Sequence, residues 1–134
     1  MHLKRKERHL QKNKTKLMRH QVRKNSLNMP RSRKNLMMKN LATSLILHEK
    51  LKTTQARAKV LQPIMEKLIR DAKNPNKVLA IRKVNSYVQG ETGSKKLIEE
   101  INKRYQDKNT GFTRITKLGF RAGDAAQLVQ IELT

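Results

Sequence analysis

A change of hydrophobic period within "NLATSLILHEKLKTTQARAKVLQP", residues 40–63, decides the fold. Apolar side chains recur at helical spacing in its first and last thirds. Between them, in "HEKLKTT", Lys50 and Lys52 alternate with Leu51 and a threonine, which is the two-residue period of a short strand. The stretch therefore predicts a helix–strand–helix unit at the centre of a small domain.

The helix before this strand is predicted from Arg33 to about Leu47, with Ser32 as its N-cap. Its apolar positions follow the i, i+4, i+8 spacing of an amphipathic helix, together with a neighbouring stripe. They are Met37, Met38, Leu41, Ala42, Leu45 and Ile46. This stripe is predicted to pack in the core.

The helix after the strand is predicted over "QARAKVLQPIMEKLIRDAK", residues 55–73, with Thr53 or Thr54 as its cap. Its apolar stripe keeps its phase across Pro63, so we expect a kink there and not a break. The members of the stripe are Ala56, Val60, Ile64, Leu68 and Ala72, widened by Leu61, Met65 and Ile69.

Two further helices and two further strands are predicted downstream. "NKVLAIRKVNSYV" and "KKLIEEINKRYQ" have helical periods, and Ser94 is the predicted cap of the second. Their inward residues are predicted to be Ala80, Ile81, Val84 and Val88, then Leu97, Ile98, Ile101 and Tyr105. Residues 112–118 and 127–133 alternate as strands on either side of "GFRAGDAA", a predicted loop of about eight residues.

Together with a strand at residues 49–54, these segments predict an α/β (α+β) fold. A small three-stranded sheet, its last two strands antiparallel, is covered on one face by about four helices.

The charge of the chain points to a polyanionic partner. Lys and Arg number 32 against 10 Asp and Glu, which gives a formal net charge of +22 in 134 residues. A compact domain with this charge repels itself unless a polyanion neutralises it. Nucleic acid is the leading partner, ahead of an anionic membrane surface or an acidic protein. The chain has no cysteine, which excludes disulfides and thiolate metal sites, and no apolar run long enough to span a membrane.

The charge is concentrated at the start of the chain. Residues 1–34 hold 13 Lys or Arg and one acid, Glu7, so we treat them as a basic N-terminal arm that is disordered without its partner. Residues 35–134 are the predicted globular α/β domain.

Three segments carry a resemblance to a known family. "MRH" at 18–20, "NLATSLILHEKLKTTQARAK" at 40–59 and "GFTRITKLGFRAGDAAQLVQIEL" at 111–133 resemble the bacterial-type large-subunit (50S) ribosomal protein L17 family. The resemblance implies an α/β fold, binding to large-subunit ribosomal RNA and a position near the polypeptide exit tunnel. It also implies a structural role in cytoplasmic ribosomes, neighbouring large-subunit ribosomal proteins as partners, and no catalytic activity.

The start of the chain departs from the family pattern, because members usually begin at the "MRH" segment. Residues 1–17 are extra. They are a true extension that reaches additional RNA, the result of an upstream start, or an organelle transit peptide; a transit peptide fits less well because the segment is rich in Lys and has no Ser.

The predicted RNA contacts are basic residues of the arm, the first helix and the C-terminal hairpin. They are Arg19, His20, Arg23, Lys24, Arg31, Arg33, Lys34, Lys39, Arg114, Lys117 and Arg121. Arg114 is predicted to lie on the opposite strand face from Lys117. "GFRAGD" lacks the P-loop pattern and is predicted to be a tight turn in which Asp124 bonds local amides.

No catalytic residue, metal site, cofactor or small-molecule substrate is predicted. His48 and Glu49 are adjacent on a strand and point to opposite faces, so they make a poor acid–base pair. A nucleoid-type DNA-binding protein is the alternative function, although no groove-reading helix or dimer seam is evident. An RNA-processing enzyme would need clustered acids, which the sequence lacks. The four aromatic residues are too few for a single-strand stacking platform, which favours docking on folded RNA.

Overall fold

The helix–strand–helix unit predicted from residues 40–63 is present in the computed structural model, which describes residues 27–134. Residues 1–26, with most of the predicted arm, lie outside the described residues. The described elements are α1 (Arg31–His48), β1 (Lys50–Thr54), α2 (Gln55–Ala72), α3 (Lys77–Tyr87), α4 (Glu91–Lys96), a π-helical segment (Leu97–Ile101), α5 (Asn102–Arg104), β2 (Thr113–Phe120) and β3 (Gln127–Leu133).

The three strands form one antiparallel sheet in the order β1-β3-β2, which confirms the predicted fold class. Val129 of the central strand is paired with Thr53 on one side and with Lys117 on the other. Val129 and Ile131 are fully buried, so this face of the sheet packs under the helices. The next residues along each strand point to the opposite face, which the helices leave open.

The core lies between the helices and the covered face of the sheet. Leu45 of α1 and Leu68 of α2 are both buried there, as the sequence predicts. Two residues of the predicted stripes are instead exposed: Ala56 and Ile81, the second with 42% of its surface accessible. Ala56 lies in the first turn of α2, where Ala58 is buried in its place. α3 presents only one narrow face, Ala80 and Val84, to the core.

Helix starts differ from the predicted caps. α1 begins at Arg31 after Pro30, so Ser32 is helical and does not cap it. α4 begins at Glu91 after Gly90, and the Ser94 hydroxyl donates to the carbonyl of Gly90 (3.4 Å) from inside the helix. A side-chain cap contributes only about 1 kcal/mol, so a serine that suits an N-cap does not by itself fix where a helix begins.

The start of β1 differs from the prediction, whereas α2 begins after Thr54 and is unbroken at Pro63, as predicted. Glu49, predicted in a strand, caps the C-terminus of α1 with a left-handed φ of 60°, and its amide donates to the carbonyl of Leu45 (2.9 Å). Thr54 precedes α2 as predicted but makes no side-chain cap bond, and α2 is continuous through Pro63.

The hairpin strand β2 runs two residues further than predicted, to Phe120, which shortens the loop to residues 121–126. A β-bulge between Lys117 and Gly119 makes this possible: pairing resumes beyond it, with Gly119 opposite Leu128. Gly119 tolerates its φ of 129° because it has no Cβ.

Candidate nucleic-acid interface

The open face of the sheet presents three cations at its two edges. Lys50 and Lys52 lie on β1 and Arg114 lies on β2, and all three side chains are exposed. Adjacent strands are about 4.8 Å apart, so the two edges of this sheet are roughly 10 Å apart. We call Lys50, Lys52 and Arg114 the sheet-face cations.

One carboxylate lies among these cations. Glu132 on β3 is paired with Lys50 on one side and Arg114 on the other. Its Oε2 accepts a hydrogen bond from Nε2 of Gln130 (3.1 Å), which orients it along the central strand. The face therefore keeps an excess of positive charge over a flat polar surface.

The N-terminal end of α1 is a second basic surface. Arg31 and Arg33 are exposed, Lys34 is half-buried, and the first turn contains no acidic residue. Pro30 at the N-cap supplies no side-chain hydrogen bond to the free amides. Cations are unfavourable at the positive end of the helix dipole, and a bound anion would offset that cost.

Lys39, also predicted to contact RNA, is engaged within the fold. Its ammonium donates to the carbonyl of Ser86 (3.0 Å) and lies 6.0 Å from the ring centroid of Tyr87. Lys39 therefore ties α1 to the end of α3, and its contact with RNA stays a prediction.

The three predicted residues of the hairpin do not form one patch. Arg114 and Lys117 lie on opposite faces of β2, as predicted. The Arg121 guanidinium pairs with Asp124, with Nε donating to Oδ1 at 3.0 Å. Asp124 also accepts a hydrogen bond from the Ala126 amide (3.2 Å), which confirms the predicted turn. The Arg121 guanidinium and this amide lower the pKa of Asp124 to about 2.

Two sets of basic residues were missed by the sequence reasoning. The first is Lys50 and Lys52, whose alternation in "HEKLKTT" already indicated that they share a strand face. The second is an exposed stripe along α2, which keeps its helical spacing on the side opposite the buried stripe. It comprises Lys59, Lys67 and Arg70; Arg57 is also exposed, but it lies in the first turn of α2 on the side of the buried stripe. The remaining predicted contacts, Arg19, His20, Arg23 and Lys24, lie outside the described residues.

The acidic residues of the described chain are largely engaged elsewhere. The carboxylate of Glu49 pairs with Arg104 (2.9 Å) and Lys96 (3.1 Å). These hydrogen bonds lower the pKa of Glu49 to about 2, and the bond from Arg104 has the larger effect. A carboxylate with this pKa is a poor general base near neutral pH, so His48 and Glu49 make no acid–base pair. Glu91, Glu99 and Glu100 are exposed on α4 and the π-helical segment, and none of them belongs to a strand of the sheet.

Between residues 27 and 134, no three His, Asp or Glu side chains cluster as metal ligands, and no helix has the length and apolar character to cross a membrane.

Comparison with known proteins assigns the chain to a family. The profile of the family described as Ribosomal protein L17 matches residues 37–134. The "Large ribosomal subunit protein bL17" of Hyphomonas neptunium is 42% identical over 116 residues, covering 87% of this chain and 82% of the relative. That of Rickettsia bellii is 41% identical over 115 residues, covering 86% and 80%. That of Desulforudis audaxviator is 44% identical over 97 residues, covering 72% and 86%. The chain therefore belongs to the ribosomal protein L17 family.

Proposed function

We propose that this protein binds and stabilises folded large-subunit ribosomal RNA through its sheet-face cations, the basic N-terminal end of α1 and the basic arm. The coarser role follows from family membership, since the L17 family is a structural, non-enzymatic component of the large ribosomal subunit. The proposal adds that these three basic surfaces bind the ribosomal RNA.

The observation that carries the proposal is the open sheet face. A small sheet that leaves Lys50, Lys52 and Arg114 exposed on a polar face holds those charges in fixed positions, because the strand pairing sets their spacing. Fixed cations suit a folded RNA, whose backbone presents phosphates in a fixed arrangement. The arm, with its higher charge density, supplies affinity through counterion release.

The experiment compares two triple variants by RNA-binding titration at several salt concentrations. One carries Lys50→Gln, Lys52→Gln and Arg114→Gln; the matched control carries Lys77→Gln, Lys95→Gln and Lys103→Gln, an equal change of charge. The RNAs are a large-subunit ribosomal RNA transcript and a plain RNA duplex of the same length.

We expect the sheet-face variant to lose affinity for the ribosomal RNA, and its slope of log affinity against log salt to fall by roughly 0.7–0.9 for each phosphate contact removed. The control should change the slope far less. Equal losses in the two variants would show that only total charge matters, and wild-type protein with no preference for the ribosomal RNA would overturn the proposal.

The resemblance also supports a place near the polypeptide exit tunnel of cytoplasmic ribosomes, next to other large-subunit proteins. Cross-linking of assembled ribosomes tests this position. Cross-links from the exposed lysines of this chain to tunnel-exit proteins would support it, and cross-links confined to a distant part of the subunit would contradict it.

A further inference from the structure

The ring of Phe120 is exposed at the tip of the β2–β3 hairpin. It has 74% of its surface accessible, more than any other large hydrophobic residue in the described part of the chain. The other aromatic residues are placed differently: Tyr105 and Phe112 are buried and pack on each other, and Tyr87 lies beside Lys39.

The hairpin holds this ring in a defined place. Phe120 is paired with Gln127 at the last position of the strand ladder. Just beyond it, the Arg121 amide donates to the carbonyl of Ala126 (2.9 Å) and the Ala125 amide donates to the carbonyl of Arg121 (3.1 Å). An aromatic side chain held by a hydrogen-bonded turn loses little further freedom when a partner binds.

The bulge places a cation beside the ring. Residues three apart on a regular strand point to opposite faces, but Leu118 is the extra residue between Lys117 and Gly119. Lys117 is therefore paired with Val129, and Phe120 with Gln127. Because Val129 and Gln127 are two residues apart on β3, their partners Lys117 and Phe120 lie on the same face of the sheet. Same-face neighbours at this spacing are about 7 Å apart along the strand. Lys117 is exposed, so its ammonium is free to contact a ligand next to the ring.

We infer that Phe120 and Lys117 bind one unpaired nucleotide of the folded RNA, with the base stacked on the Phe120 ring and a backbone phosphate at the Lys117 ammonium. The inference rests on the proposed function and names a contact within it. A nucleotide combines the two chemistries that this face offers, since every base has a π-face and every linkage an anion. The cation beside the ring favours it over an apolar pocket on another protein.

One exposed ring does not make a single-strand platform, which needs several aromatic residues in succession. It suits a single base that is unstacked from a loop or bulge of a folded RNA. The scarcity of aromatic residues in the sequence is therefore compatible with one stacking contact.

The test uses the full chain and deproteinised large-subunit ribosomal RNA, with Phe120→Leu, Phe120→Trp and Lys117→Met. Leucine keeps an apolar side chain and removes the π-face, whereas tryptophan keeps the π-face. Because the chain contains no other tryptophan, Phe120→Trp also introduces a single fluorescent reporter. Val78→Ala on α3 is the control for loss of exposed apolar surface, since Val78 is 56% exposed and outside the hairpin.

We expect Phe120→Leu to weaken binding by roughly 5- to 150-fold with an unchanged salt slope, as loss of one stacked base predicts. Phe120→Trp should bind close to wild type, with its emission quenched by saturating RNA. Lys117→Met should lower the salt slope by roughly 0.7–0.9, and Val78→Ala should change neither quantity. Thermal melts of all four should match wild type, because each side chain is exposed.

Wild-type affinity in Phe120→Leu, or unquenched emission in Phe120→Trp, would overturn this inference and leave the proposed function standing. A further variant, Phe120→Ala, tests for an apolar protein contact. If Phe120→Ala binds this RNA with wild-type affinity but is poorly incorporated into large subunits, whereas Phe120→Leu is incorporated normally, the inference is overturned in favour of that contact. Failure of the wild-type protein to bind this RNA would overturn both.

Discussion

The carboxylate of Glu66, in the second half of α2, accepts a hydrogen bond from the amide of Phe112 (2.8 Å), although 46 positions separate the two residues. The same carboxylate also accepts bonds from the amides of Gly111 (3.2 Å) and Thr113 (3.3 Å) and from the Thr113 hydroxyl (3.3 Å). Three consecutive amides at the entry to β2 are thus anchored to a helix, and the fully buried Phe112 ring is fixed in the core beneath them.

Glu66→Gln should destabilise the fold by about 1–3 kcal/mol. A neutral amide has one acceptor oxygen instead of two, and its NH₂ group would face at least one of the backbone N–H groups that now donate to the carboxylate. Urea unfolding at neutral pH measures the loss. Glu100→Gln makes the same change of charge at an exposed helical position and should have little effect. Equal stability of the two variants would show that the carboxylate does not anchor β2.

Leu45→Ala should cost about 2–5 kcal/mol, because Leu45 is fully buried in the core and its removal leaves a cavity. Leu47→Ala is the matched control on the same helix. Leu47 is 37% exposed, so we expect its loss to cost about 1 kcal/mol or less. Thermal unfolding distinguishes them, and a melting temperature that hardly moves for Leu45→Ala would contradict the assigned core face of α1.

Glu49 should make the stability of the protein depend on pH in the acid range. Arg104 and Lys96 lower its pKa from the ordinary value of 4.5 to about 2. A carboxyl group with a depressed pKa in the folded state stabilises above its unfolded pKa, and this contribution is lost as the pH falls through the folded value. The contribution should therefore be complete above about pH 4.5 and disappear between pH 4.5 and 2.

Glu49→Gln tests this dependence. After allowance for solvent screening of a partly exposed pair, we expect it to be about 1–2 kcal/mol less stable than wild type at neutral pH. Urea unfolding at pH 7, 4, 3 and 2 should show the two proteins converging as the pH falls. A difference that stays constant over this range would mean that the ion pairs contribute nothing.

Deletion of residues 1–26 should separate affinity from specificity. The deleted residues carry ten of the 32 Lys and Arg, and the core residues of the described part of the chain are all retained. We expect a much shallower salt dependence of RNA binding, together with a retained preference for large-subunit ribosomal RNA over a duplex. Binding of both RNAs is measured at two salt concentrations. A truncated protein without any preference would place the specificity in the arm.

The pattern of residues 40–63 was sufficient to predict α1, β1 and α2, because the period of apolar side chains depends on neighbours within one helical turn or one strand pair. β3 was predicted with its exact bounds for the same reason. Helix starts were less predictable, since Ser32 and Ser94 both suit an N-cap and both lie inside helices. A side-chain cap contributes only about 1 kcal/mol, which is too little to fix the start of a helix by itself.

The candidate interface was also predictable from the sequence only in part. Composition and charge were enough to predict a polyanion as the partner, and the strand period alone placed Lys50 and Lys52 on one face. Only the tertiary structure assigned Lys39 to the carbonyl of Ser86. A lysine ammonium binds whatever acceptor the fold brings within reach, so its partner depends on how α1 packs on α3.

By itself, the sequence determined the helix–strand–helix unit, the fold class and the excess of positive charge, because each of these follows from residue types and short-range spacing. Only the tertiary structure decided that Glu66 anchors the start of β2 and that Lys117 and Phe120 share a face. The first contact joins residues 46 positions apart, and the second depends on a single bulged residue that reverses the strand alternation. Both are set by packing and strand register, which no local period of the sequence contains.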